Sequence, residues 1–163
     1  MLLLGQVKLI RGQFRASEPH LLGAMNAFRA LGHRNGLWLA LTLWAENLRH
    51  QGRFSEALDA LYSELPEART CQVTLYYLQI LLALARCETD LCRLGKAQEC
   101  VDELEVNIRR GEQLSLRLDM MLLKGRIQIM SGQYRKALAI LQEAHERARL
   151  AELPVVSEYG RAL

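Results

Sequence analysis

The stretch AENLRHQGRFSEALDAL, residues 45–61, combines the end of one helix, a tight turn and the start of a second helix. From Gly52 the pattern is a glycine, one residue, an aromatic residue, two residues, an alanine, three residues and a leucine. The same pattern returns from Gly132, and looser copies start at Gly12 and Gly95. In chain order these glycines are 40, 43 and 37 residues apart. Self-similarity at such a period predicts a helical repeat array.

Composition favours an all-α fold. The chain has 163 residues, of which 50% are apolar and three are proline. Leu, Ala, Arg, Glu and Gln dominate, and these residues lose the least side-chain freedom in a helix. We therefore predict one domain over residues 1–163, an α-α superhelix of about four antiparallel helix pairs.

Turns and caps divide this domain into units. The approximate units are residues 1–32, 37–66, 70–110 and 115–151, with the start of another at 154–163. A helix begins abruptly at residue 1, and the last segment is too short for a pair. We therefore expect a fragment of a longer array.

Local signals set several helix ends. Ser17 is a candidate N-cap of the second helix, and Pro66 is expected to end the fourth helix. Thr70 is expected to cap a fifth helix that runs through Leu94, with Gly95 as the next turn.

The charge pattern argues against nucleic acid and membrane partners. The formal net charge is +3, from 21 basic and 18 acidic residues that are mixed along the chain. The longest apolar run, residues 80–85, is far shorter than the roughly 20 residues of a membrane-spanning helix. No signal-peptide pattern is present at the start of the sequence. We expect a cytoplasmic protein with no direct contact to nucleic acid or membrane.

The four cysteines do not form a recognisable site. Cys71, Cys87, Cys92 and Cys100 include no CxxC pair and have no histidine at zinc-ligand spacing. They are expected to be reduced and mostly buried. We predict no metal site and no cofactor.

Catalytic motifs are also missing from the sequence. It contains no GxxxxGK[ST] phosphate loop, no GxSxG and no HExxH. The four histidines are scattered over separate predicted helices and loops. We predict that the protein is not an enzyme.

The recurring unit resembles the tetratricopeptide repeat family, whose signature is a small residue in the first helix, Gly-x-Tyr at the turn and alanine in the second helix. The signature matches well at Ala45, Gly52, Phe54 and Ala57 and at Gly125, Gly132, Tyr134 and Ala137, and in part at Gly5, Gly12, Phe14 and Ser17. The third unit departs from it, with Glu88 for the small residue, Ala97 for the aromatic and Cys100 for the alanine.

The spacing narrows this resemblance. Units near 40 residues are longer than the roughly 34 residues usual for tetratricopeptide arrays. With the segment FRALGHRNG at residues 28–36, they look like the superhelical domain of MalT-like bacterial regulators of the LuxR class. The resemblance implies a region that binds an inducer or an inhibitory protein and relays the signal to an ATPase module and a DNA-binding helix-turn-helix.

Candidate binding residues follow from the expected curvature. A stacked array is concave on one side, and the resemblance implies that the first helix of each pair lines that side. The turn glycines place seven candidate residues on or near this surface, namely Glu46, Arg49, Arg86, Thr89, Arg93, Asp119 and Arg126. The arginines suggest a groove for a carboxylate, a phosphate or an acidic peptide, because guanidinium offers paired donors. The alternative is that these residues are ordinary solvated helix faces.

The leading hypothesis for function is a non-enzymatic scaffold that binds a protein, a peptide or a small effector. In this hypothesis the chain is the sensor part of a bacterial transcriptional regulator. The alternative is a structural adaptor subunit that holds a multiprotein complex together through tetratricopeptide-type contacts.

Overall fold

The computed structural model describes residues 1–71, 74–108 and 114–151. These residues form eight helices: α1 (Leu2–Ile10), α2 (Phe14–Ala30), α3 (Arg34–His50), α4 (Phe54–Thr70), α5 (Thr74–Asp90), α6 (Leu94–Asn107), α7 (Leu114–Met130) and α8 (Tyr134–Leu150). The described ranges contain no strand, and the helices pack in adjacent pairs. The prediction of an all-α superhelix is confirmed. The further unit predicted at residues 154–163 lies outside the described residues.

The helices are evenly spaced along the sequence. From α2 onward they begin at residues 14, 34, 54, 74, 94, 114 and 134. Six of them contain 17 residues each. The exception is α6, which ends early, at Asn107. We call the interval from one helix pair to the next, such as that from Gly12 to Gly52, the pair period. Residues one pair period apart are equivalent in the array.

The turns within the four pairs lie at Gly12, Gly52, Cys92 and Gly132, each with a positive φ between 57° and 75°. The prediction of the third turn at Gly95 is wrong, because Gly95 lies inside α6. Glycine is the usual residue at positive φ, and Cys92 takes this conformation instead. The four turns are therefore evenly spaced, in contrast to the uneven spacing predicted from the glycines.

The corrected spacing restores the small residues of the third unit, whereas Cys92 replaces the turn glycine and Leu94 the aromatic residue. Ala85, not Glu88, is equivalent to Ala45, and both alanines are fully buried. Ala97 is equivalent to Ala57 and occupies the alanine position, not the aromatic one. The third pair therefore carries the same small residues as its neighbours.

Two predicted helix starts are wrong. The second helix begins at Phe14, so Ser17 is an interior residue, and its hydroxyl donates to the carbonyl of Gly5 at 2.8 Å. Thr70 is the last residue of α4, and its hydroxyl donates to the carbonyl of Glu67. Ser17 thus bonds a carbonyl of the neighbouring helix α1, and Thr70 bonds a carbonyl of its own helix, as Thr does inside helices.

The predicted ends of the fourth and fifth helices are wrong as well. Pro66 lies inside α4, which continues to Thr70, and α5 ends at Asp90 rather than at Leu94. A proline inside a helix removes one backbone hydrogen bond and costs roughly 3 kcal/mol. Ala68, which follows the proline in α4, is fully buried. Its burial favours the continued helix and offsets part of this cost.

The motif residues act in packing. A Cβ added to Gly5 would lie 2.7 Å from the side chain of Leu21, and one added to Gly125 would lie 2.7 Å from that of Leu141. At the equivalent positions, Ala45 is fully buried and so is the leucine at position 61. The small residue lets the two helices of each pair approach closely, and the leucine fills the space beside it.

The odd-numbered helices form the tighter layer of the array. α1 contacts α3, α3 contacts α5, and α5 contacts α7, whereas within the described ranges no two even-numbered helices contact each other. A stack whose one layer is closer together curves toward that layer. The odd-numbered helices therefore provide the inner face, and the even-numbered helices lie outside them.

Candidate functional site

Seven charged or titratable side chains of the odd-numbered helices form one connected group, which we call the inner-face cluster. Its members are Glu46, Arg49 and His50 of α3, Arg86 and Asp90 of α5, and Asp119 and Arg126 of α7. Glu46, Arg86 and Arg126 follow one another at the pair period and so occupy equivalent positions. The period of the array therefore aligns the cluster along the inner face.

Arg49 is the centre of the cluster. Its Nε and Nη2 atoms donate to the two carboxylate oxygens of Glu46 at 2.9 and 2.6 Å. Its Nη1 donates to Oδ2 of Asp90 at 2.5 Å, and Arg126 binds Oδ1 of Asp90 at 2.6 Å. Arg49 and Asp90 therefore connect three consecutive inner helices, through charge-assisted hydrogen bonds from Arg49 and an ion pair between Asp90 and Arg126.

Arg86 and His50 extend the cluster. Nη2 of Arg86 lies 3.3 Å from Oδ1 of Asp119, and Nη1 lies 4.0 Å from Oε2 of Glu46. His50 approaches Glu46 at 3.2 Å, and its ring stacks on Phe14 with the ring centroids 4.8 Å apart. The start of α2 thus contributes an aromatic wall at one edge of the cluster.

The protein environment shifts the acidic pKa values in opposite directions. Burial alone would raise the pKa of Glu46, but the hydrogen bond from Arg49 and the nearby positive charges together lower it. Burial raises the pKa of Asp119, nearby Glu46 adds to this effect, and Arg86 only partly opposes it. The Glu46 end of the cluster is therefore firmly ionised, whereas the Asp119 end takes up a proton more readily.

The cluster has a buried base and an accessible rim. Asp90 and Arg49 are 13% and 16% exposed, while Asp119 and Arg126 are 45% and 50% exposed. Arg86 lies between these extremes, at 31%. The base holds its geometry through several partners, and the rim side chains are open to solvent.

The cluster is balanced in charge. Three guanidinium groups face three carboxylates, apart from any charge on His50. An arginine-rich anion groove was expected, but Asp90, which the sequence reasoning missed, offsets Arg49 and Arg126. Asp90 lies one pair period after His50, so the correct period would have placed it on the same face.

The structure brings together five of the seven predicted site residues and separates the other two. Thr89 is fully buried, and its hydroxyl donates to the carbonyl of Ala85 at 2.7 Å. Arg93 precedes α6 and lies 3.5 Å from the buried carboxylate of Glu88, which also accepts a hydrogen bond from Tyr62 at 3.0 Å. The predicted turn was three residues late, so Arg93 was assigned to the first helix although it lies after the turn. Thr89 does occupy the position equivalent to Arg49, but its short side chain is buried and bonds its own helix.

The cysteine thiols are all free. Cys87 is buried, and Cys71 and Cys100 are partly buried. Cys92 is exposed and so departs from the expectation of buried thiols. Burial raises the pKa of Cys87 to about 12 and that of Cys100 to about 11. Both thiols therefore stay protonated near neutral pH.

The described residues show no arrangement for a metal ion or for crossing a membrane. No group of three or more His, Cys, Asp and Glu side chains in these ranges is arranged to hold a metal ion. None of the helices in the same ranges combines the length and the apolar character that crossing a membrane requires.

Comparisons with family models and with curated proteins give no match to this chain. No protein-family model matches the chain, and a search of curated proteins finds no match. The likeness to tetratricopeptide repeats and to MalT-like regulators stays a resemblance of sequence pattern.

Proposed function

We propose that this chain is a non-enzymatic binding scaffold whose inner-face cluster receives a protein, a peptide or a small effector. The observation that carries the proposal is the accessible rim of Arg86, Asp119 and Arg126 above a base of buried ion pairs. Fixed partners below the rim hold its charges on adjacent helices, so a ligand meets a partly organised site.

The balance of charge favours a ligand that carries both signs. Arg86 and Arg126 offer guanidinium donors to a carboxylate or phosphate, and Asp119 offers an acceptor to an ammonium group. A zwitterionic small molecule or a peptide segment of mixed charge has this complementarity. A purely anionic ligand would meet the carboxylates as well as the arginines.

The other titratable groups support a binding function more than catalysis. The raised pKa values of the Cys87 and Cys100 thiols disfavour the thiolate that a nucleophile needs. The Nδ1 atom of His33 accepts a hydrogen bond from the Gly36 N–H at 2.9 Å and so caps α3. These groups act in the structure of the fold.

We place the chain in the cytoplasm, as the sensor part of a bacterial transcriptional regulator. Support comes from the long repeat unit and the pattern shared with MalT-like regulators. A structural adaptor is the second candidate, favoured by apolar side chains exposed at both ends of the described array. These include Leu3 and Ile10 at one end and Tyr134 and Leu138 at the other.

Calorimetric titration of the full chain tests the binding site. The probes are a zwitterionic dipeptide, a dicarboxylate and a diamine, each titrated into the wild type and into the Arg86→Ala/Arg126→Ala double variant. We expect the dipeptide to bind best, and the double variant to bind it at least about tenfold more weakly. The control is Arg149→Ala, since Arg149 pairs only with Glu146 of its own helix among the contacts described.

The outcomes separate the two candidate functions. Binding of a small molecule that depends on Arg86 and Arg126 supports the sensor. A protein partner that binds without any ligand, and equally to the wild type and the double variant, supports the adaptor. A dipeptide that binds all three proteins equally would move the ligand site away from the inner face.

A further inference from the structure

A second candidate site lies between α6, α7 and α8, on the opposite side of α7 from the inner-face cluster. It is a cavity of about 160 Å³. Its apolar part consists of Ile108, Met120, Met121 and Ile140. At about 100° per residue, Met121 and Lys124 project from α7 away from Arg126. The two sites are therefore separate.

The first gap between helix pairs, formed by α2, α3 and α4, contains aromatic side chains. Phe28 stands at the position equivalent to Ile108, and Trp44 stands at the position equivalent to Lys124. Both aromatic residues are partly buried and pack against the hydrophobic core. Two positions that line the cavity in the last gap thus carry large rings in the first gap.

The second gap, formed by α4, α5 and α6, is filled by Tyr77. This tyrosine is 5% exposed and occupies the position equivalent to Arg117. Its hydroxyl donates to the carboxylate of Glu103 on α6 and accepts a hydrogen bond from Nε of Arg69 on α4 at 3.2 Å. The second gap therefore holds a phenol ring whose hydroxyl donates to a carboxylate.

The last gap keeps the carboxylate but lacks the ring. None of the side chains that line the cavity is aromatic. Glu143 of α8 lines the cavity and stands at the position equivalent to Glu103. Nε and Nη2 of Arg147 both donate to Oε1 of Glu143, at 3.0 and 2.6 Å. Oε2 of Glu143 accepts no hydrogen bond from the residues that the structure describes, so one acceptor at the cavity is left over.

The charges around the cavity already have partners. Nζ of Lys124 donates to Glu105 at 2.6 Å. Arg147 pairs with Glu143, and Arg117 has a contact of its own. A charged ligand would have to compete with an existing pair, whereas a neutral ligand leaves the pairs in place. The cavity therefore favours a neutral ligand.

We propose that this cavity binds a small neutral phenol. The ring packs against Met120 and Met121, whose thioether sulfurs make favourable contacts with aromatic rings. The hydroxyl donates to Oε2 of Glu143, as the hydroxyl of Tyr77 does to Glu103. The size is suitable, because an apolar cavity of roughly 150 Å³ is known to accept benzene. The inference goes beyond the proposed function, since it concerns a different face of the molecule.

Calorimetric titration of phenol, toluene and benzoate into the full chain tests the proposal. The three probes share one ring, and phenol is neutral near neutral pH because a phenolic hydroxyl titrates at about pH 10. We expect phenol and toluene to bind saturably and to shift the ¹³C-methyl NMR signals of Met120 and Met121. Benzoate is expected to bind at least about tenfold more weakly than phenol, because the cations around the cavity are already paired.

Two variants locate the ligand. Glu143→Ala removes the acceptor and is expected to weaken phenol binding at least about fivefold, while toluene binding stays unchanged. The matched control is Glu146→Ala, since Glu146 forms a similar ion pair with Arg149 on the same helix and does not line the cavity. Ile108→Phe installs the ring that Phe28 provides in the first gap and is expected to abolish the binding of both phenol and toluene.

Four results would overturn the proposal: no saturable phenol binding, benzoate binding as tight as phenol binding, unchanged phenol binding in Glu143→Ala, or equal weakening of phenol and toluene in that variant. If Ile108→Phe does not fold, Glu143→Ala and the methionine signals still decide. Failure here leaves the inner-face proposal intact, because that proposal is tested by Arg86 and Arg126.

Discussion

Cys92 holds a left-handed backbone conformation, with φ 57°, at the turn where the other three pairs have glycine. A residue with a Cβ atom pays roughly 1–2 kcal/mol in this region. We predict that Cys92→Gly raises the free energy of unfolding by about 1 kcal/mol. Glycine removes the backbone strain, but it also makes the unfolded chain more flexible, which offsets part of the gain. Urea denaturation measures the change.

The control for this prediction is Cys92→Ala, which keeps a Cβ atom and therefore the strain. It is expected to leave stability close to that of the wild type. If both variants stabilise the chain equally, the thiol rather than the backbone is the source of the cost.

Asn47 is fully buried, and neither its Nδ2 nor its Oδ1 atom has a hydrogen-bond partner among the residues that the structure describes. The equivalent positions hold Val7, Cys87 and Ile127. A buried polar group without a partner costs about 1–3 kcal/mol. We predict that Asn47→Val raises the melting temperature, measured by circular dichroism, and that Asn47→Asp lowers it. A lower melting temperature in Asn47→Val would mean that the amide is hydrogen-bonded in solution.

At the scale of the helix, α8 offers a pair of neighbouring residues with opposite exposure. Ala137 is 2% exposed and packs inward, whereas Leu138 is 53% exposed. Ala137→Arg is predicted to lower stability by at least roughly 1–3 kcal/mol, because the large side chain overpacks the helix pair. Leu138→Arg is predicted to change stability little. Thermal unfolding of the two variants checks the orientation of α8. Equal losses of stability in both variants would contradict it.

The helices could be predicted from the sequence wherever glycine marks the turn. Gly12, Gly52 and Gly132 were correctly identified, and α3 and α7 begin within three residues of the predicted unit starts at residues 37 and 115. The third turn was missed because it is made by Cys92, and a cysteine carries no turn signal. The predicted end of α4 at Pro66 is wrong because tertiary packing keeps the helix intact past a residue that normally ends one.

The candidate site could be predicted in part, wherever the turn was placed correctly. Glu46, Arg49, Arg86, Asp119 and Arg126 were placed on the inner face and are connected there. The charge balance was not predictable from arginine spacing, since it depends on which carboxylate each guanidinium reaches across helices. The even spacing of Ala45, Ala85 and Gly125 was a signal in the sequence that would have corrected the third unit.

At the scale of the whole molecule, the inner-face cluster links folding to pH. The pKa of Glu46 is lowered in the folded state, so its contribution to stability is present above its unfolded pKa. That contribution is lost as the pH falls through the folded pKa. We predict that Glu46→Gln reduces the loss of stability between about pH 5 and pH 3. Urea denaturation at several pH values measures this loss.

Asp119 provides a matched comparison of opposite sign. Its folded pKa is raised, so stability falls as the pH rises through that pKa and is regained on acidification. Asp119→Asn removes this gain in stability at low pH. The variant is therefore predicted to lose slightly more stability on acidification than the wild type. If both variants behave alike, the cluster does not govern the pH dependence of folding.

The constant pair period bears on how the length of this chain can change. Duplication or deletion of a segment one pair period long returns every later helix to an equivalent position, so the inner face stays aligned. Insertion of one residue within a helix instead turns the residues beyond it by about 100° and moves the charged side chains away from one another. The array is thus tolerant of changes in length by whole pairs and intolerant of single insertions within helices.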